Sequence, residues 1–284
     1  MKLLLLSFAL GCARAQSPDI SQIMSRVASN QAKSQDLRKL YVYKQRQILR
    51  MVRASGKIAR EEHREYTVTP EGRGIKKELA KFDGKYERAG KYIAYDKPGY
   101  HYKNLDVDGD LIDEMSKDMT DDPYSRDGLG HDLFPLTYHQ QLKYDFHLAG
   151  TETYRGQQVY RVGFEPRGHS SRHVPLPDEG DGADWKGEAL IDAKEYQPML
   201  VTTKLAYNIP KPVRILLGTN IRGLGFSVSY RKFADGVWFP VSYGGEFELR
   251  AVFFYKRTIS VSMMNIDFHR LDVTSKIAYS AEDQ

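Results

Sequence analysis

The sequence predicts a mainly β protein, an α+β fold built on antiparallel sheet with one apolar face, with a helix in front and a helical insert. Three observations carry this. The runs from Trp185 to Tyr207 and from Gly225 to Tyr243 alternate apolar and polar residues with the period of a strand. Asp235-Gly236 lies between two alternating segments, a hairpin signal. Nineteen tyrosines and twelve phenylalanines in 284 residues favour a pleated surface, where aromatic rings pack well.

Residues 1–15 are expected to be a secretory signal peptide. Met1-Lys2 gives a positive start, Leu3 to Leu10 an apolar run, and Ala13-Arg14-Ala15 a small-x-small cleavage site. Phe8-Ala9-Leu10-Gly11-Cys12 also resembles a bacterial lipobox, in which Cys12 would carry an acyl anchor. Both readings stand, and they imply a periplasmic protein or one held on a membrane through Cys12. Residues 17–271 are expected to form a single domain and 272–284 a polar tail.

The first helix is expected from Ser17 to about Gln35. Ser17 is a good N-cap, Pro18 and Asp19 suit the first turn, and Ile20, Ile23, Met24 and Val27 recur at helical spacing. Strands follow over Tyr41–Val52, about Ile58–Val68 and about Ile75–Phe82, the last closed by Asp83-Gly84. Their charged residues are expected on a wet face. Leu111, Ile112, Met115 and Met119 then mark a helical insert, followed by an Asp/Pro/Ser/Gly loop over 121–130. Leu142, Tyr144, Phe146 and Leu148 lead into a hairpin at Gly150–Gly156 and a strand over Val159–Phe164. Residues 168–183 read as a surface loop.

Gly187–Ile191 is a short strand, and Asp192–Pro198 supplies a turn. Met199, Val201, Thr203, Leu205 and Tyr207 share the next strand's apolar face. Phe226, Val228 and Tyr230 repeat the pattern, as do Val237, Phe239, Val241 and Tyr243 beyond the hairpin. Phe247, Leu249, Ala251, Phe253 and Tyr255 face one way; Ile259, Val261 and Met263 follow, and Met264, Ile266 and Phe268 close the last strand.

Composition excludes several functions. Cys12 is the sole cysteine, so a chain cleaved after Ala15 has no disulfide, thiol nucleophile or cysteine zinc site. No later run reaches the roughly 18–20 apolar residues of a membrane span. Losing Lys2 and Arg14 lowers the net charge from +5 to +3, without the concentrated basic stripe of a nucleic-acid binder. An anionic membrane surface or an acidic partner fits an exported chain better, beside the plain reading of solvated charged faces on the early helix and strands. Asn104–Leu111 resembles the start of a calcium loop through Asp106, Asp108 and Asp110, but Met115 stands where a bidentate Glu is needed. The same residues serve a helix-capping turn. His169 and His173 lack a third ligand and a helix signal, so no metal site is expected. No phosphate loop, dinucleotide fingerprint, hydrolase elbow or His-Glu-x-x-His motif is present, so no cofactor and no catalytic residue is assigned.

Three phrases carry a resemblance: Gly150-Thr-Glu-Thr-Tyr-Arg-Gly, Gly187-Glu-Ala-Leu-Ile-Asp-Ala-Lys-Glu-Tyr-Gln-Pro-Met, and Tyr230-Arg-Lys-Phe-Ala-Asp-Gly-Val-Trp-Phe-Pro. With the order of helix, charged strands, insert and long antiparallel run, they are similar to the outer-membrane lipoprotein-sorting (LolA/LolB-like) family. The resemblance implies an unclosed half-barrel whose concave apolar face, lidded by helices, holds acyl chains, with lipid or lipoprotein as cargo. Independently, a sheet with one apolar face and few helices must close, dimerise or hold a hydrophobic ligand. Candidate lining positions are Val201, Leu205, Phe226, Val228, Tyr230, Phe247, Leu249, Phe253 and Met263. Three readings remain: a carrier of acyl chains, a non-catalytic envelope interaction or structural module with a filled core, and an exported hydrolase with a dispersed site.

Overall fold

The computed structural model describes residues 19–72, 74–120, 136–167, 185–206, 219–251 and 255–271. The signal segment, Cys12, Phe253, His169, His173, and the loops expected over 121–130 and 168–183 lie outside these. The first half comprises α1 (Ile20–Arg38), β1 (Tyr41–Arg53), β2 (Ile58–Glu71), β3 (Gly74–Arg88), β4 (Lys91–Tyr95) and α2 (Val107–Thr120). The second half comprises α3 (Tyr138–Gln141), β5 (Tyr144–Tyr154), β6 (Gln157–Pro166), β7 (Trp185–Asp192), β8 (Pro198–Leu205), β9 (Thr219–Arg222), β10 (Gly225–Ala234), β11 (Val237–Ala251) and β12 (Tyr255–Arg270).

All strands join one 12-stranded sheet in the order β4-β3-β2-β1-β12-β11-β10-β8-β7-β6-β5, with β9 also paired to β11. Every pairing is antiparallel. Strands β4 and β5 form the two edges and are not paired to each other, so the sheet is an unclosed half-barrel. Strand β1 docks on β12 in the middle of the sheet: β1 to β4 step outward to one edge, and β5 to β12 step inward from the other, with β9 off this path.

Glycine makes close strand approach possible at two points. A Cβ at Gly187 would stand 1.9 Å from the Thr202 carbonyl oxygen, and one at Gly245 would stand 2.3 Å from the Gly225 oxygen. No side chain fits either position, so glycine lets the sheet bend there.

Helix α1 lies on the concave side, burying Ile23, Met24 and Val27. Asp19 is its N-cap, accepting from the Ser21 amide, so the helix begins after the cap expected at Ser17 and continues past Gln35 to Arg38. Its far end seals a split in the sheet. Before Ser242, β11 has no partner on β12. Ser34 Oγ donates to the Trp238 carbonyl and accepts from its amide, both at 3.0 Å, and Arg38 Nε donates to the same carbonyl. A second apolar cluster of Tyr41, Tyr43, Val68, Val237 and Phe239 fills the split.

Some expectations are corrected. Strand β3 does not stop at Asp83-Gly84; it runs to Arg88 and turns at Ala89-Gly90, both in the left-handed region. Gly84 is there because the Tyr95 ring lies 2.4 Å from where its Cβ would be. Strand β11 ends at Ala251, before the expected continuation through Phe253 to Tyr255, and Ala251 pairs with Tyr255 across a hairpin. Phe268 does not continue the face of Met264. A register shift around Asp267, which has φ 53°, turns it into the cluster with Tyr43 and Phe239.

Candidate functional site: a lidded concave face with an apolar and a polar half

Cross-strand register places the inner residues in rows, and one row crosses nearly the whole sheet. It reads Leu148, Val162, Ala189, Val201, Val228, Tyr243, Met263, Gln47, Arg64 and Phe82. A second reads Phe247, Ile259, Met51, Arg60, Tyr86 and Ile93. A third reads Gly245, Val261, Leu49, Glu62, Gly84 and Tyr95. Each row is apolar through β12 and becomes charged at β2.

The apolar side holds most of the predicted lining residues. Val201, Phe226, Val228, Tyr230, Leu249 and Met263 are buried in one continuous cluster with α1, and Leu205 and Phe247 pack against it half-buried. Phe226 stacks on Tyr243 at 5.4 Å and meets Trp185 edge-on at 5.4 Å. Phe253 lies outside the described residues. Sequence reading missed Tyr243 as part of this wall, although it shares the alternation of Phe239. Its hydroxyl is buried with no hydrogen-bond partner among the described residues, and burial pushes its pKa well up.

The polar side contradicts the expectation of a wet, charged face. Arg60, Glu62 and Arg64 are 1%, 1% and 6% exposed, on the concave side. Burying charge is tolerable only with partners, and these are supplied in full. Arg60 Nε donates to Tyr95 Oη (2.7 Å), its Nη1 to Asp106 (2.6 Å) and its Nη2 to the Tyr100 carbonyl. Tyr95 Oη donates to Glu62 (2.6 Å), which also accepts from Arg64 Nε (2.8 Å). Arg64 further donates to Ser116 Oγ (2.8 Å) and Asp113 (2.7 Å). The chain of bonds continues from Ser116 through Gln47, Gln45 and Asn265 to the Pro240 carbonyl. Burial works against the Arg64 charge, but the Glu62 carboxylate outweighs it and holds the guanidinium's pKa above its usual value.

Helix α2 covers both sides. Ile112 is buried in the apolar cluster with Leu111 and Met115 against it. Its acidic residues form a row of clasps. Asp106 caps the helix, accepting from the Gly109 amide while it binds Arg60. Asp108 takes Arg257 through two nitrogens (2.8 and 2.9 Å) and the Tyr255 hydroxyl (2.6 Å). Asp113 and Ser116 hold Arg64, and Asp110 meets His101 (2.8 Å). The three carboxylates considered for calcium thus point to three different side chains, Arg60, Arg257 and His101, and the capping reading is the one observed.

The arrangement is an open antiparallel half-barrel with an apolar concave wall and a helix latched across it by ion pairs. The chain matches no protein-family model and no curated protein. Solved structures it matches include an outer membrane lipoprotein-sorting protein domain from Vibrio parahaemolyticus (10% identity, 91% of this chain and 96% of that one, TM-score 0.35). A LolA superfamily protein from Nitrosomonas europaea matches at 11% identity over 87% of this chain and 94% of that one, TM-score 0.34. The Mycobacterium tuberculosis lipoprotein LppX matches at 9% identity over 88% and 96%, TM-score 0.28. These include the family that the sequence resembles. Likeness at such scores carries no functional argument, so the function must be argued from the chain's own residues.

Proposed function

We propose that the protein is an exported, non-catalytic binder of lipid or lipoprotein acyl chains, held against the apolar concave wall beneath α1 and α2, with a carrier or sorting role in the cell envelope. The observation that carries this is the construction of the lid. Helix α2 lays Leu111, Ile112 and Met115 on the wall, yet Asp106, Asp108 and Asp113 fasten it to arginines of β2 and β12. A helix belonging only to a filled core has no need of three ion pairs that are buried or partly buried, since apolar packing of similar volume holds as well. Polar latches beside an apolar floor let a cover leave and return without giving up its position. The Tyr243 hydroxyl, within the wall and without a partner among the described residues, offers a donor to a ligand carbonyl.

The envelope-module reading keeps the same wall as plain core. The hydrolase reading would place chemistry in the Arg60–Glu62–Arg64–Asp106 cluster, whose groups are engaged with one another.

Native mass spectrometry of the protein purified without detergent, with solvent extraction of bound lipid, tests the proposal. We expect stoichiometric acyl lipid, lost in Leu249→Asp with the β circular-dichroism signal retained. A clean apo mass with no uptake of added acyl lipid would overturn it in favour of the interaction module. The intact mass also reports the N-terminus, and with it the fate of Cys12.

A further inference from the structure

We propose that the β4 edge and the segment leading into α2 form a docking surface for an anionic phospholipid bilayer. Large apolar side chains are exposed here, on both faces of the sheet edge and in the segment beside it. Leu105 is 71% exposed, Tyr92 53%, Ile93 39% and Val107 37%. Lys91 to Ala94 are exposed along β4, which has no further strand on its outer side.

Cations ring these tips. Arg88 and Lys103 lie over the Tyr102 ring at 6.0 and 5.1 Å, and Tyr102 stacks on Tyr86 at 4.9 Å, which joins segment 97–107 to the β3–β4 hairpin. Cross-strand pairing of Ile93 with Tyr86 and of Lys91 with Arg88 puts these on one side of the hairpin, with Tyr92 reaching round the other. Among the described residues, Arg88, Lys91, Lys97 and Lys103 have no carboxylate partner. The neighbouring acids are taken: Glu87 by Arg53 (2.7 Å), Asp106 by Arg60, Asp108 by Arg257 and Asp110 by His101. Among the described residues, Asp83 and Asp96 are nearby acids without an ion pair.

Apolar and aromatic tips among snorkelling lysines match the two layers of a membrane surface, the acyl boundary and the phosphate plane. A free anion would need converging donors, whereas these cations are spread around a projecting edge. Lysine on an edge strand also opposes strand addition by a second copy. The surface ends where α2 begins, so docking brings the bilayer to the base of the lid.

The test is co-sedimentation of the mature chain, shown acyl-free by intact mass, with phosphatidylglycerol/phosphatidylcholine vesicles and with phosphatidylcholine alone. We expect binding to the anionic vesicles only, weakened by raising salt and not competed by glycerol phosphate. Lys91→Glu, Lys97→Glu and Lys103→Glu should each reduce it about fivefold, and Leu105→Asp about tenfold or more, all with unchanged melting curves. Equal binding by the variants and the parent would overturn the proposal. So would loss of all vesicle binding together with an Ile93-dependent dimer in gel filtration, or full competition by glycerol phosphate. Acyl-chain uptake is read separately. Its persistence in variants that leave vesicle binding untouched sinks this surface alone, and its absence with patch-dependent vesicle binding sinks the carrier reading alone.

Discussion

The two halves of the concave face are built on the same rows of one sheet and obey opposite rules. From β5 to β12 the inner residues are Val, Leu, Phe, Tyr and Met, held by shape and by exclusion of water. One strand beyond β1 they become Arg60, Glu62 and Arg64, held by matched charge and directed hydrogen bonds. A hydrophobic wall is non-directional and tolerates another apolar surface sliding over it. A buried ionic network accepts one geometry and is costly in any other. Helix α2 therefore meets a non-directional surface on one side and a fixed register on the other, because the two halves differ.

The sharpest way to break this contrast is on the polar side. Arg60→Ala leaves Asp106 buried without its cation and Tyr95 without a donor, while Glu62 keeps Arg64, and is expected to cost about 3–5 kcal/mol in urea denaturation. Amide exchange should rise first in α2, whose cap and latch share Asp106. If α2 stays protected while the sheet loosens, the latch is not what holds the helix.

On the apolar side, Phe226→Ala removes a ring stacked on Tyr243 and should cost about 3 kcal/mol, with exchange rising across β8, β10 and β11 and not selectively in α2. The two variants should add when combined. Strong coupling between them would mean that the halves are one cooperative core.

The outer face of the charged arm gives a smaller, pH-dependent effect. Burial would raise the Glu61 pKa, but hydrogen bonds from Lys85, Arg50 and His63 outweigh it and hold the pKa at about 2. The folded value lies below the unfolded one, so this stability is present above the ordinary carboxylate range and is lost as the pH falls toward 2. Wild type should exceed Glu61→Gln by about 1–2 kcal/mol near neutral pH, allowing for the solvent around its partners, and the gap should close in acid. A pH-independent gap would refute the linkage.

The smallest effect has the opposite sign. Tyr243→Phe removes a buried hydroxyl without a described partner and should stabilise the ligand-free protein by up to about 1 kcal/mol, while weakening binding of an ester-linked lipid relative to its ether analogue. Destabilisation with unchanged ligand preference would show that the hydroxyl serves the fold.

Much of the fold was legible because strand period and turn chemistry are local. The Asp235-Gly236 hairpin, the Asp192–Pro198 turn and the faces of β8 and β10 follow from the sequence directly. The short edge strand β4 did not, since Lys91 to Ala94 are exposed on both faces and show no alternation. The polar half of the site was misread for a related reason. Glu61, His63 and Glu65 alternate with Arg60, Glu62 and Arg64, so both faces of β2 are charged and periodicity cannot say which is inside. The deciding information, Asp106 and Asp113, lies some fifty residues away on another element.

By itself, then, the sequence determined most of the strands and turns, the two longer helices and the apolar face of the sheet, because each depends on residues within a turn or a strand of one another. Only the tertiary structure decided that β1 meets β12, that α2 crosses both halves, and that the charges of β2 face inward. Those outcomes rest on pairing between distant segments. A buried arginine is affordable only where a carboxylate from elsewhere in the chain arrives to meet it.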